Sequence, residues 1–148
     1  MKILSVRQPW AWLIVNALKD VENRGRICNH RGELYIHASK TYDDTANFER
    51  IKRMINDPTA YEKFLDAPMQ ENGILLGGIV GKVQMISCVT ESDSPWFEGQ
   101  YGYVFKKPEV IPFRALRGFP GIFEINSAGT LNEPYLFFSH LRKHHAKT

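Results

Sequence analysis

Eight polar side chains stand where apolar stretches of this chain begin or end: Arg7, Gln8, Lys19, Glu22, Arg24, His37, Ser39 and Lys40. The densest group is Lys19-Asp20-Val21-Glu22-Asn23-Arg24. As extended backbone it puts Asp20, Glu22 and Arg24 on one face and turns Val21 to the core, because side chains alternate in a strand. Glu22 then has two cationic partners in reach, Lys19 and Arg24, and either would also make an ordinary ion pair. His37 and Ser39 share a strand face by the same alternation. Trp10, Trp96, Tyr101 and Tyr103 are rings able to stack on a nucleic-acid base. Trp10 suits the core as well as a ligand. Trp96 lies in a Ser-Pro-rich stretch, Ser94-Pro95-Trp96-Phe97, and is expected to be exposed and to touch ligand.

Other chemistries fail on spacing. Gly77-Gly78-Ile79-Val80-Gly81 lacks the Gly-Lys-Ser/Thr of a phosphate loop and the spacing of a dinucleotide fingerprint. There is no His-Glu-x-x-His, no acidic calcium loop and no nucleophile elbow. His144-His145 on a basic tail has no partner ligands, so no metal and no cofactor is expected. Cys28 and Cys88, isolated and 60 residues apart, read as reduced thiols in or near the core.

These polar groups need elements to position them. Lys2–Val6 reads as a first strand. Trp10, Leu13, Ile14, Ala17 and Leu18 follow a 3.6-residue period, so the spacing predicts a helix through Leu18 with Pro9 at its first position. Arg26–Gly32 is a loop, and Glu33–Ser39 alternates as a half-buried strand with Leu34, Ile36 and Ala38 inward. Asp43 or Asp44 is expected to cap a helix to Ile55, and Thr59 a second helix to Leu65. Together they make a helical insertion near residues 41–66.

Ile74–Val89 holds three glycines, which disfavours helix and predicts a long strand with a bulge or bend. Thr90–Gln100 is a loop. Tyr101–Phe105 is a strand, Lys106–Glu109 a turn, and Val110–Phe113 a further strand. Gly121–Ile125 is the last core strand. Tyr135–His140 is expected to pack the C-terminus on the body. Five to seven short strands without βαβ repetition predict an α+β domain on a small, bent or closed sheet.

At 148 residues, 43% hydrophobic and 24% charged, the chain is sized for a single globular domain. No apolar run approaches the roughly 20 residues of a membrane helix. The N-terminus carries no signal-peptide pattern, so a cytoplasmic protein is expected. A net charge of +3 permits nucleic-acid binding without requiring it. Arg24, Arg26, His30 and Arg31 cluster near the start, and a basic tail follows Glu133.

Several ordered motifs together resemble the ASCH (activating signal cointegrator homology) family. They are Leu4-Ser5-Val6-Arg7-Gln8-Pro9-Trp10-Ala11, Lys19 through Arg24, Arg31-Gly32 and Ile36-His37-Ala38-Ser39-Lys40. Gly78-Ile79-Val80-Gly81, Ser94 through Gly99, Tyr101-Gly102 and the Pro112 region resemble the family's second half. The resemblance implies a PUA-like β-barrel with flanking helices and a cleft beside the first helix. It implies an ASCH domain over residues 1–128 and a C-terminal extension over 129–148. It also implies RNA-related work, either as a binding module or as a processing enzyme. One branch of the family hydrolyses N4-acetylcytidine. That branch resembles this chain in a lysine and an arginine at the places of Lys19 and Arg24, but has threonine where this chain has Glu22. Glu71 is the nearest candidate for the branch's later glutamate.

Two main functional expectations follow. In the first, Arg7, Arg24 and Lys40 contact phosphates while Trp96 with Tyr101 or Tyr103 stacks an unpaired base; Gln8, Trp10, His37 and Ser39 complete the RNA or nucleotide site. In the second, the domain is a metal-independent hydrolase on RNA or a modified nucleoside. Lys19 is then the activated group, Glu22 its base or orienting partner, and Arg24 its neighbour, with His37 and Ser39 or Tyr101 assisting. A protein adaptor using Tyr135–Phe138 is a third.

Overall fold

The computed structural model describes residues 1–67 and 75–131. Six strands form one mixed sheet in the order β2-β5-β4-β3-β1-β6. They are β1 (Lys2–Val6), β2 (Val21–Arg24), β3 (Gly32–Ala38), β4 (Gly78–Val89), β5 (Tyr101–Ala115) and β6 (Ile122–Glu124). The sheet curls into a half-barrel, flanked by α1 (Trp10–Val15), α2 (Phe48–Ile55) and α3 (Pro58–Leu65). This is the expected α+β architecture, with the helical insertion in its expected place. β1 and β3 run parallel, Ser5 opposite His37, and all other pairings are antiparallel.

The β1–β3 pair is buried on both faces, and this decides where the site lies. Leu4, Val6, Leu34, Ile36 and Ala38 enter the main core with Ala11, Ile14 and Val15 of α1. The opposite row begins in a small apolar cluster around Ile3 and Phe123, with Tyr35 packed against it. It then passes through Ser5 and His37 to Arg7, Ser39 and Lys40, just beyond the strands' C-terminal ends. A third cluster joins Leu13 and Val21 to Ile51, Phe64 and Trp96, and so docks the insertion on α1 and β2.

Several local expectations are corrected. α1 stops at Val15, because Ala17 adopts φ 65 and the N–H groups of Leu18 and Lys19 both turn back to Leu13 O. Pro9 is the N-cap residue, not the first helical one. α2 is capped by Asn47, whose Oδ1 accepts from Arg50 N at 3.1 Å, since the Asp43 carboxylate is engaged by Trp10 and Thr45. Asp57 caps α3, with Pro58 as its first residue.

Tyr101–Ala115 is one long strand where a turn was expected at Lys106–Glu109. Lys107 takes φ 52 and kinks it. β2 pairs only with residues 101–104, so among the described residues Pro108 and Pro112 lie where β5 has no strand on that side and proline costs no ladder bond. The expected bend in the glycine-rich strand is present as three register shifts between β4 and β5. At Gly81 a Cβ would lie 2.5 Å from Val15 Cγ1, and at Gly78 2.5 Å from Arg114 O. Only glycine lets β5 and α1 close on β4 here. Glu71, Tyr135–His140, the basic tail and most of the 129–148 extension lie outside the described residues.

Candidate functional site

A cavity of about 1300 Å³ opens beside α1, at the C-terminal ends of the parallel pair. Its walls include Arg7, Trp10, Lys19, Glu22, Arg24, His37, Ser39, Lys40 and Trp96. The fold thus gathers nine of the twelve candidate residues. Gln8, Tyr101 and Tyr103 do not line it. Gln8 is buried and plugs the start of α1, accepting from Trp12 N at 2.9 Å and donating to Leu75 O at 3.3 Å. Tyr103 is buried in the main core and donates its phenol to Arg26 O at 2.9 Å; burial pushes that phenol's pKa up. Tyr101 packs half-buried against the same core.

Lys19, Glu22 and Arg24 form one hydrogen-bonded chain. β2 is extended as expected, with Val21 inward, but Glu22 is itself buried. Its Oε1 accepts from Lys19 Nζ at 3.2 Å and its Oε2 from Arg24 Nη2 at 3.1 Å. Lys19 Nζ also donates to Val21 O, and it lies 5.8 Å from the Trp10 ring centroid, a cation–π contact. Arg24 Nη2 donates again to Ser5 O at 2.7 Å, tying the charged chain to β1. Burial pushes the Glu22 carboxyl up, yet the Lys19 and Arg24 charges outweigh it and hold the pKa below the ordinary 4.5. The carboxylate is therefore ionised at neutral pH. Asp20, expected on the same face, instead accepts from Ser94 Oγ at 2.6 Å outside the cavity.

Trp96 is buried, contrary to its expected exposure, with 5% of its surface accessible. Asn23 explains why. Its Nδ2 donates to Trp96 O at 2.8 Å, and its Oδ1 accepts from Glu98 N at 2.7 Å. This one amide clamps the loop and drives the indole into the cluster behind α1. Trp96 meets Trp10 edge-on, with centroids 6.5 Å apart, and Trp10 Nε1 donates to Asp43 Oδ2 at 2.8 Å. Arg50 reaches from α2 across to Glu98, with Nη2 to Oε2 at 2.5 Å.

His37 is buried and its Nε2 lies 2.5 Å from Leu116 O. A carbonyl only accepts, so Nε2 carries the proton. Burial holds the imidazole pKa below the ordinary 6.5. Arg117, Gly118 and Phe119, from the segment after β5, complete the wall. Asn23, Arg50, Asp43, Ser5 and this segment escaped the sequence reading. Asn23 and Ser5 stood inside quoted motifs, but nothing local tells an amide that clamps a loop 73 residues away from a solvated one. Among the described residues no three His, Cys, Asp or Glu side chains gather as metal ligands would. No helix among them is long and apolar enough to cross a membrane.

A sequence profile described as the ASCH domain matches residues 4–111. Activating signal cointegrator 1 of Homo sapiens is 29% identical over 142 residues, covering 84% of this chain and 22% of that protein. The Mus musculus protein of the same name is 26% identical over 137 residues, with the same coverage. The chain thus spans about a fifth of the length of these curated relatives. Among solved structures, the ASCH protein of Zymomonas mobilis superposes with a TM-score of 0.50 at 14% identity, over 86% of this chain and 89% of that one. A tyrosine-to-phenylalanine variant of it gives 0.50 at 14% identity, over 86% and 91%. At these identities the likeness concerns the fold.

Proposed function

This chain belongs to the ASCH domain family, and on that premise we propose that it binds single-stranded RNA or a nucleotide in the cleft beside α1. The observation that carries the reading is the cavity's charge. Lys19 and Arg24 are matched by Glu22, and Arg50 by Glu98. Arg7 and Lys40 line the same cavity with no ion-pair partner within 4.0 Å among the described residues. Asp43 feels the Arg7 charge without making an ion pair with it, and cations so placed beside an aromatic wall suit an anionic ligand with a ring; a phosphate attached to a base is that combination. Trp10 and Phe119 are the partly exposed rings on this wall, so stacking passes to them from Tyr101 and Tyr103.

The test is a fluorescence titration with a short single-stranded RNA across a range of salt, with Trp10 and Trp96 as reporters. Log affinity is expected to fall by about 0.7 per log unit of salt for each phosphate contact. Arg7→Ala and Lys40→Ala should each lower that slope by about one such contact. An affinity indifferent to salt overturns the reading.

A second reading, hydrolysis of RNA or of a modified nucleoside such as N4-acetylcytidine, is favoured by the ionised Glu22 held against Lys19 on the cavity wall. A positioned base contributes typically 10²–10⁴-fold. Turnover of either substrate that Lys19→Ala abolishes in a folded protein supports it. Turnover that persists in the variant rejects it.

A further inference from the structure

Two buried side-chain atoms in the described structure have no hydrogen-bond partner: Ser5 Oγ and His37 Nδ1. They belong together. Ser5 and His37 are register partners on the parallel strands β1 and β3, so their side chains leave the sheet on the same face. Both line the cavity. The segment after β5 lies over them and is fastened at its two ends. Leu116 accepts from His37 Nε2 at 2.5 Å, and Gly121 O accepts from Ser5 N at 3.4 Å. Its middle is Gly118. A Cβ there would stand 2.8 Å from His37 Nδ1 and 3.0 Å from Ser5 Oγ, so the cover over both atoms carries no side chain.

The chemistry of the pair is specific. Nε2 carries the imidazole proton, so Nδ1 of the neutral ring is a bare acceptor and needs a donor. The serine hydroxyl donates or accepts. Burial holds the ring neutral at pH 7, so the pair itself offers no positive charge to a phosphate. Paired polar groups so placed are costly to leave unmade and are a recurrent mark of a ligand site.

We infer that Ser5 and His37 form a base-edge subsite of the cleft, which takes a neutral group presenting a hydrogen-bond donor beside an acceptor, as a nucleobase edge does. The inference rests on the nucleotide-binding reading above and adds an orientation to it. The base enters beneath Gly118, which shifts to admit it, while the phosphate stays with Arg7 and Lys40.

The test compares cytidine 5′-monophosphate, uridine 5′-monophosphate and ribose 5-phosphate by calorimetry on the full chain. Ser5→Ala removes the hydroxyl. His37→Gln takes the acceptor away from the Nδ1 position, since its own acceptor is the terminal amide oxygen, while its amide nitrogen keeps the donor to Leu116. Each should weaken at least one of the two nucleotides about five- to tenfold, the loss of one net hydrogen bond. Ribose 5-phosphate should bind as before. In the wild type the ¹⁵N resonance of His37 Nδ1 should move from that of a bare acceptor when nucleotide is added and stay unmoved with ribose 5-phosphate. Variants that weaken all three probes equally, or none, overturn the subsite alone. A wild type that binds neither these probes nor the RNA overturns the subsite and the nucleotide reading together.

Discussion

Replacing Glu22 with glutamine tests whether the Lys19–Glu22–Arg24 chain holds the fold as well as lining the cleft. The side chains of Lys19 and Glu22 are 4% and 11% exposed, and that of Arg24 is 26% exposed. Glu22→Gln keeps shape and volume but leaves the Lys19 ammonium buried against a neutral amide. Breaking a buried pair by removing one partner costs about 3–5 kcal/mol. Arg24 reaches water and recovers part of its loss, so about 3 kcal/mol is expected. At a typical urea dependence of about 2 kcal/mol per molar, the unfolding midpoint falls by about 1.5 M. Tryptophan fluorescence reads it, since Trp10, Trp12 and Trp96 all flank the site's elements. The pH dependence is a second constraint. The folded Glu22 pKa is depressed, so its contribution is fully present above about 4.5 and is lost as pH falls through the folded value. The gap between wild type and variant should therefore close in acid. Lys19→Met on top of Glu22→Gln should restore part of the loss, because it removes the stranded charge. A midpoint shift worth less than about 1 kcal/mol at pH 7, or a gap that persists below the folded pKa, would refute the reasoning.

Asn23→Ala breaks both clamps on the Trp96 loop and should cost about 2 kcal/mol, near 1 for each hydrogen bond, with faster hydrogen exchange at Glu98 N as the local readout. Arg50→Ala removes an ion pair whose side chains are 49% and 59% exposed, so denaturation should show a change below about 1 kcal/mol. His37 has a depressed folded pKa, so below 6.5 the unfolded chain binds a proton that the native state refuses, and stability falls with acid until the folded value is reached. In His37→Gln that dependence, at most about 1.4 kcal/mol per pH unit, should vanish from chemical denaturation curves in the window just below 6.5. Gly81→Ala drives a Cβ into Val15 and should destabilise by about 1–3 kcal/mol, read as a lowered thermal midpoint; an unchanged midpoint would mean that β4 and α1 are not in contact there.

Features that depend on neighbours along the chain were legible from residue order alone. Alternation over Lys19–Arg24 predicted an extended segment with Val21 inward, and alternation over Glu33–Ser39 predicted a strand with Leu34, Ile36 and Ala38 in the core; both hold. The glycines of the long apolar strand predicted its bend, because close backbone approach needs a missing Cβ wherever it occurs. The ordered motifs identified the family. Local signals failed where a local preference met a distant partner. Pro and Lys at 106–108 read as a turn, yet β4 stays paired with β5 on either side of them, at Lys106 and Glu109, and the strand runs on. Asp43 reads as a cap until Trp10 takes its carboxylate.

Alternation also names a face without saying what covers it. The outward face of β3 was legible as Tyr35, His37 and Ser39. That His37 is buried follows only from the segment after β5, where Leu116, 79 residues away, accepts its hydrogen bond and Gly118 lies over the ring. Trp96 looked exposed in a Ser-Pro loop and is buried because Asn23 holds that loop down. Tyr101 and Tyr103 were equally plausible stacking rings; they share a sheet face with their register partners Arg24 and Glu22, yet the main core takes their rings and they miss the cavity. The composition of the cleft is thus a property of contacts many tens of residues apart. The sequence supplied the residue types, and the closing of the half-barrel chose which of them meet.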